Sequence, residues 1–330
     1  MPILILCLLA VSQALHFADY NDEVFKSASK PVIGMLTLPN DIDFADQPNV
    51  KAFIRTPYVH YFESAGMRVV PILHTLDEEE LDEILGKING IVFTGGSTKL
   101  NSWGEDGEII YSQYVKTADY LLKSTIRKND NGEYFPLMGI CLGMEVLTMV
   151  TSKSCTLTYT DAWNHTINAL FTEKAPYSKL FKNVNPMILY YLNKYNITAQ
   201  NHHWGISIET YKKKEKLNTF WDILGLSYDR GMVPYLSFIE AKNYPIYAYM
   251  FHPEKTPYKW EEAEVDHSII AIEASQYFSY FFSLEIRKNN NSFEDYEDYI
   301  EHSIYTLTDP FLGPEDEQNF IFKRVDDHEC

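Results

Sequence analysis

A chain of 330 residues with 45% hydrophobic content is long enough to bury one substantial α/β core with insertions, and nothing in its composition requires a second domain. Its formal charge of −18 argues against nucleic acid or an anionic membrane surface as partner, because either would repel an acidic surface. A polyanionic substrate meets the same repulsion, so a cleft for one has to be locally basic or work at reduced pH.

In chain order, the first element stands apart from the fold. Residues 3–11 form a short apolar run, and Ser12-Gln13-Ala14 carries small residues at the two positions a signal peptidase reads. A signal peptide over residues 1–14 is expected, leaving 15–330 as one domain destined for the secretory pathway, in a lysosome or vacuole or outside the cell. No other stretch is apolar and long enough to span a bilayer, so no membrane partner is expected. Sequons at Asn164, Asn196 and Asn290 fit that route as glycosylation sites. Loss of the signal removes Cys7 and leaves Cys141, Cys155 and Cys330, with the pairing of the last two open.

A strand over 32–36 is followed by a helix over 57–65, a strand over 68–72 and an acidic helix over 77–86, for which Thr75 and Glu78 form a capping box. A strand at 91–93, a helix at 111–127 and a strand at 137–140 come next, the last running into Cys141 and a helical stretch at 144–150. This alternation predicts a mostly parallel central sheet with helices on both faces and a ligand site beyond the carboxyl ends of its strands. Short alternating segments at 156–160, 235–239 and 247–251 read as hairpins returning to the sheet. Residues 268–287 read as a closing helix whose Ile269, Ile272, Tyr280 and Leu284 share one face, and 293–330 as an acidic, partly disordered surface arm.

Two segments carry chemistry. Gly139-Ile140-Cys141-Leu142-Gly143 sets a thiol between glycines at a strand-to-helix turn, the form of a nucleophile elbow. Alone, such a match is more often a small packing cysteine. His252-Pro253-Glu254, at the end of another apolar run, changes the balance by supplying a base and a carboxylate to orient it. Cys141, His252 and Glu254 form a candidate triad. Thr94-Gly95-Gly96 closes the strand at 91–93, and the N–H groups of Gly96 and Leu142 are candidates for an oxyanion hole. No cofactor is called for. The other histidines, including His202-His203, form no compact metal-ligand pattern, so no metal is expected either.

The run Cys141-Leu142-Gly143-Met144-Glu145, the strand-end Gly95-Gly96 and the segment His252-Pro253-Glu254-Lys255 resemble the γ-glutamyl hydrolases, the folate polyglutamate hydrolases of the class I glutamine-amidotransferase-like superfamily. The resemblance extends from Lys30-Pro31-Val32-Ile33-Gly34 to Glu285-Ile286-Arg287-Lys288-Asn289-Asn290, most of the mature chain. It implies a flavodoxin-like core, a homodimer, and hydrolysis of γ-glutamyl bonds in poly-γ-glutamyl folates by Cys-His-Glu chemistry through an acyl-enzyme. It also implies that Gly95, Glu145, Asn201, His202, Trp204 and Lys255 line or support the cleft, with His202 able to bond a substrate carboxylate. Two other readings use the same residues. A glutaminase of the amidotransferase type usually carries Gln where this chain has Glu145 and delivers ammonia to a synthase partner. A catalytically inactive binding protein on the same fold usually lacks the thiol or the histidine, and this chain has both.

Overall fold

The computed structural model describes residues 30–40, 49–103, 108–262, 264–312 and 318–323; the expected signal peptide, Cys7 and Cys330 lie outside them. Strands β1 (Val32–Leu36), β2 (Leu38–Pro39) and β3 (Val50–Arg55) lead into α1 (Thr56–Glu63), β4 (Arg68–Ile72), α2 (Glu78–Lys87) and β5 (Gly90–Phe93). A hairpin of β6 (Asn101–Trp103) and β7 (Ile109–Tyr111), unforeseen in the sequence, precedes α3 (Gln113–Asp130), β8 (Leu137–Ile140) and α4 (Leu142–Ser152). Every residue of β1, β5 and β8 is buried, which is why these runs are continuously apolar: strands covered on both sides have no solvent face to alternate with. They pair in parallel, β4 and β5 on either side of β1 and β8 beyond β5.

The second half holds β9 (Thr158–Ile167), β10 (Leu170–Phe171), α5 (Pro186–Lys194), β11 (Thr198–Gly205), α6 (Ile208–Lys213), α7 (Glu215–Phe220), β12 (Trp221–Tyr228), β13 (Pro234–Ala241) and β14 (Ile246–Tyr249). β14 joins β8 in parallel, and β13, β12 and β10 extend that edge antiparallel, giving the order β10-β12-β13-β14-β8-β5-β1-β4. Two hydrophobic clusters cover the faces. One packs α2, α3 and α4 through residues such as Leu85, Leu121 and Leu147; the other packs α1 and the long helix near the end of the chain through Phe62, Phe278 and Phe282. The expected α/β architecture is the observed one.

Four local expectations are corrected. The cap of α2 is Asp77, not Thr75: Asp77 Oδ1 accepts from the Glu79 and Glu80 N–H groups at 3.0 Å, and Glu80 Oε2 accepts from the Asp77 N–H at 2.9 Å. The segment at 156–160 starts β9, which pairs with β11 in a separate two-stranded ribbon and does not return to the main sheet. The short α8 (Lys255–Tyr258) precedes α9 (Ile269–Ile286), whose core face is Ala271, Ala274, Phe278, Phe281 and Phe282. Ile269 and Tyr280, expected inside, are 78% and 52% exposed. This helix is apolar nearly all round, so periodicity alone could not select its buried face. The end of the chain is not a loose arm over its described residues. α10 (Tyr296–His302), α11 (Ile304–Leu307), β15 (Asp309–Leu312) and β16 (Gln318–Lys323) follow, with Phe293, Tyr299 and Ile304 buried and β16 paired antiparallel to β3. Apolar residues spaced between the acidic ones anchor it.

Candidate active site

β8 ends at Ile140, and the chain turns at Cys141 so sharply that this residue takes φ 50°, ψ −107° as N-cap of α4. That conformation is costly for a residue with a Cβ and persists only where surrounding contacts enforce it. Here the Cys141 N–H still donates to the Tyr249 carbonyl at 2.9 Å, tying the elbow to β14. The flanking glycines are required by space. A Cβ on Gly143 would stand 2.2 Å from the Phe93 carbonyl oxygen, and one on Gly139 2.6 Å from Leu147 Cδ1. Their absence lets the first turn of α4 lie against β5.

His252 follows β14, and its backbone N–H donates to Ala199 at 2.8 Å, which fastens the loop to β11. Its Nδ1 lies 2.7 Å from Glu254 Oε1 and 3.1 Å from the Tyr58 hydroxyl, all three residues being buried. Because an ionised carboxylate only accepts, Nδ1 carries the proton and Nε2 presents its lone pair. Nε2 is buried without a hydrogen-bond partner. Thiol and imidazole converge around Gly95: a Cβ there would stand 2.3 Å from Tyr58 Oη, 2.8 Å from His252 Cε1 and 3.2 Å from Cys141 Cβ. Gly96 follows with φ 150°, where a Cβ would strike Leu38 at 2.3 Å. The Leu142 N–H, in the first turn of α4, interacts with the Cys141 sulfur and favours its anion.

Burial pushes the Cys141 thiol well up, and the anions of Glu145, which forms only at alkaline pH, and of Glu254 push the same way; Lys255 and the Leu142 N–H oppose them. The resting sulfur is therefore a thiol, and its ionisation depends on transfer of the proton to a base. Glu145, one turn into α4, is buried, and desolvation raises its carboxyl from the ordinary 4.5 to about 8. It is a neutral acid at neutral and acidic pH. His202 is lowered to about 3, first by burial and then by His252. The Gln200 side chain donates to Thr198 oxygens, which turns its Oε1 toward His202 Nε2 at 3.2 Å, so Nε2 holds the ring proton and the buried Nδ1 is left without a partner. A neutral ring in this tautomer offers an acceptor to a substrate donor.

Among the other expected cleft residues, Lys255 opens α8 and bonds Glu262, while Asn201 Oδ1 accepts from the Asn164 N–H at 3.1 Å inside the β9–β11 ribbon. Trp204 is 50% exposed and meets Tyr159 edge-on. Sequence reading gave no role to the tyrosines around the site. Tyr58 meets His252 across 194 positions, and the Tyr114 and Tyr235 hydroxyls, buried without hydrogen-bond partners, are pushed up chiefly by burial and in smaller part by the nearby Cys141 when it ionises. Isolated tyrosines carry no motif, so only the fold could gather them. Of the sequon asparagines, Asn196 and Asn290 are exposed and Asn164 is half-buried with φ 45°. Cys155 is exposed and has no disulfide partner among the described residues. Among the described residues no cluster of three or more His, Cys, Asp or Glu is poised to hold a metal ion, and no helix is long and apolar enough to cross a membrane.

The Peptidase C26 family profile matches residues 31–254, which include all of Cys141, His252 and Glu254. Gamma-glutamyl hydrolase B of Dictyostelium discoideum is 40% identical over 299 residues, covering 88% of this chain and 83% of that protein. Gamma-glutamyl hydrolase of Homo sapiens is 33% identical over 288 residues, covering 87% of each. The solved structure of PurLQS from Thermotoga maritima overlays with a TM-score of 0.42 at 13% identity, covering 77% of this chain and 97% of that one. On the strength of the sequence matches, this chain belongs to the Peptidase C26 family, among the γ-glutamyl hydrolases.

Proposed function

We propose that the site hydrolyses γ-glutamyl bonds in poly-γ-glutamyl folates and related conjugates, with Cys141 as nucleophile, His252 as base and Glu254 as the group that orients it. His252 Nε2 takes the thiol proton as sulfur attacks the γ-carbonyl, and the N–H groups of Gly96 and Leu142 receive the developing oxyanion. The imidazolium returns the proton to the leaving amine. Water, deprotonated by the same nitrogen, then cleaves the acyl-enzyme. Coupling attack to proton transfer suits a thiol that burial holds protonated at rest.

The observation that carries this reading is the seating of His252: Nδ1 lies 2.7 Å from Glu254 Oε1, and Nε2 is unpartnered beside a thiol on a strained elbow. Glu145 supports the substrate class. Held at about 8, it adds no negative charge beside Cys141 at acidic or neutral pH, which eases the approach of a polyanionic chain to an acidic protein. Gly95, Asn201, His202, Trp204 and Lys255 complete the proposed cleft. Passage through the secretory pathway to a lysosome, vacuole or the exterior, glycosylation at Asn164, Asn196 and Asn290, and a homodimer belong to the same reading. The test incubates the purified protein with pteroylpolyglutamate and, separately, with free glutamine, and follows products by chromatography. Shortened folates with inert glutamine are expected; ammonia release from glutamine without folate shortening would replace this reading with the glutaminase one.

A further inference from the structure

Lys255 is the cation whose field lowers the Cys141 thiol against the carboxylates around it, yet its charge is not open to a ligand. Its Nζ lies 2.6 and 2.8 Å from the two oxygens of Glu262, with the two side chains 11% and 20% exposed. Glu262 is held from several directions. Its carbonyl accepts from the Val265 N–H at 3.1 Å, Trp260 before it stacks on His267 with ring centroids 3.9 Å apart, and His267 Nδ1 meets the Thr256 carbonyl at 2.6 Å on the same helix as Lys255. A carboxylate is therefore already seated on an ammonium one residue from Glu254 and near the thiol.

A γ-glutamyl substrate carries its own α-carboxylate a short aliphatic stem from the carbonyl that Cys141 attacks. We propose that Glu262 occupies the seat of that α-carboxylate on Lys255, so that productive binding exchanges one carboxylate for another and Glu262 sets the threshold a ligand must meet. The inference rests on the γ-glutamyl reading above. Exchange keeps Lys255 neutralised in both states, so neither state leaves a largely buried charge unpaired. It also taxes affinity, since only the fraction of molecules with Lys255 released can take the substrate carboxylate. A ligand that reaches Cys141 without a carboxylate gains nothing from Lys255.

The test compares wild type with Glu262→Gln, which keeps the side-chain shape and removes its charge, on two substrates. One is an N-acyl-γ-glutamylglutamate; the other is its analogue with 4-aminobutanoate in place of the cleaved glutamyl residue, which lacks the α-carboxylate. The expected result is a KM for the first substrate about three- to tenfold lower in the variant, with kcat little changed and the analogue's KM unmoved. A variant that changes both substrates alike, or raises KM for the first, overturns the exchange and leaves Glu262 as a positioning residue for Lys255. A wild-type protein that cleaves neither substrate overturns the γ-glutamyl reading itself, and this inference with it.

Discussion

The strain at Cys141 and the neutral acid at Glu145 are both single-residue properties with measurable consequences. Cys141→Ala removes the sulfur from a buried site and opens little volume, so turnover is expected to fall by a factor on the order of 10³ or more while the thermal transition stays cooperative. In the same assay His252→Ala should cost roughly ten- to a hundredfold more in kcat than Glu254→Ala, because the base transfers the proton and the carboxylate only orients it. Equal losses would give Glu254 a larger part. Glu145 makes a second, thermodynamic prediction. Its carboxyl titrates at about 8 in the folded protein and near 4.5 when unfolded, so between those values the native state holds a proton that the unfolded chain has released. Stability contributed by this group therefore declines as pH rises through that window, by up to about 1.4 kcal/mol per pH unit. Glu145→Gln abolishes this slope, and its Tm relative to wild type should be more favourable at pH 7.5 than at pH 5. A Tm difference independent of pH would mean that Glu145 is ionised in the folded state.

At the scale of elements, glycine positions separate what the elbow needs from what it tolerates. Gly143→Ala drives a methyl into the Phe93 carbonyl, and backbone cannot rotate away as a side chain can. The first turn of α4 has to lift from β5, at a cost of about 1–3 kcal/mol in a urea titration and with a drop in kcat as Cys141 moves. Gly86, inside α2, meets nothing within 4 Å, so Gly86→Ala should instead stabilise by about 0.5–1 kcal/mol through helix propensity. Reversal of these two signs in denaturant midpoints would refute the packing account. The elbow and the strands flanking it were legible in the sequence because each depends on local rules: glycine beside a tight turn, and unbroken apolar runs in strands buried on both faces. The β9–β11 ribbon was not, since a segment of alternating residues looks the same whether it returns to the main sheet or pairs elsewhere.

For the whole molecule, the last strand acts on the first part of the chain. Phe320, Ile321 and Phe322 of β16 are buried, and β16 pairs with β3, which leads directly into α1 and Tyr58. Truncation after Thr308 would strip that pairing and expose the face around Phe53 and Ile54, so a lower Tm and, as Tyr58 shifts against His252, a lower kcat are expected together. A truncated protein with unchanged Tm and kcat would show that the terminal strands are dispensable. The sequence by itself determined the fold class, the nucleophile elbow and the His252-Glu254 pair, because strand burial, glycine geometry and a two-residue separation are all encoded locally. Only the tertiary structure decided the buried face of α9, the docking of 318–323, the protonation states of Glu145 and His202, and the seating of Glu262 on Lys255. The first four depend on desolvation or on partners far away in the chain, and the last on the path the chain takes over the seven residues from Lys255 to Glu262; none is encoded in local pattern.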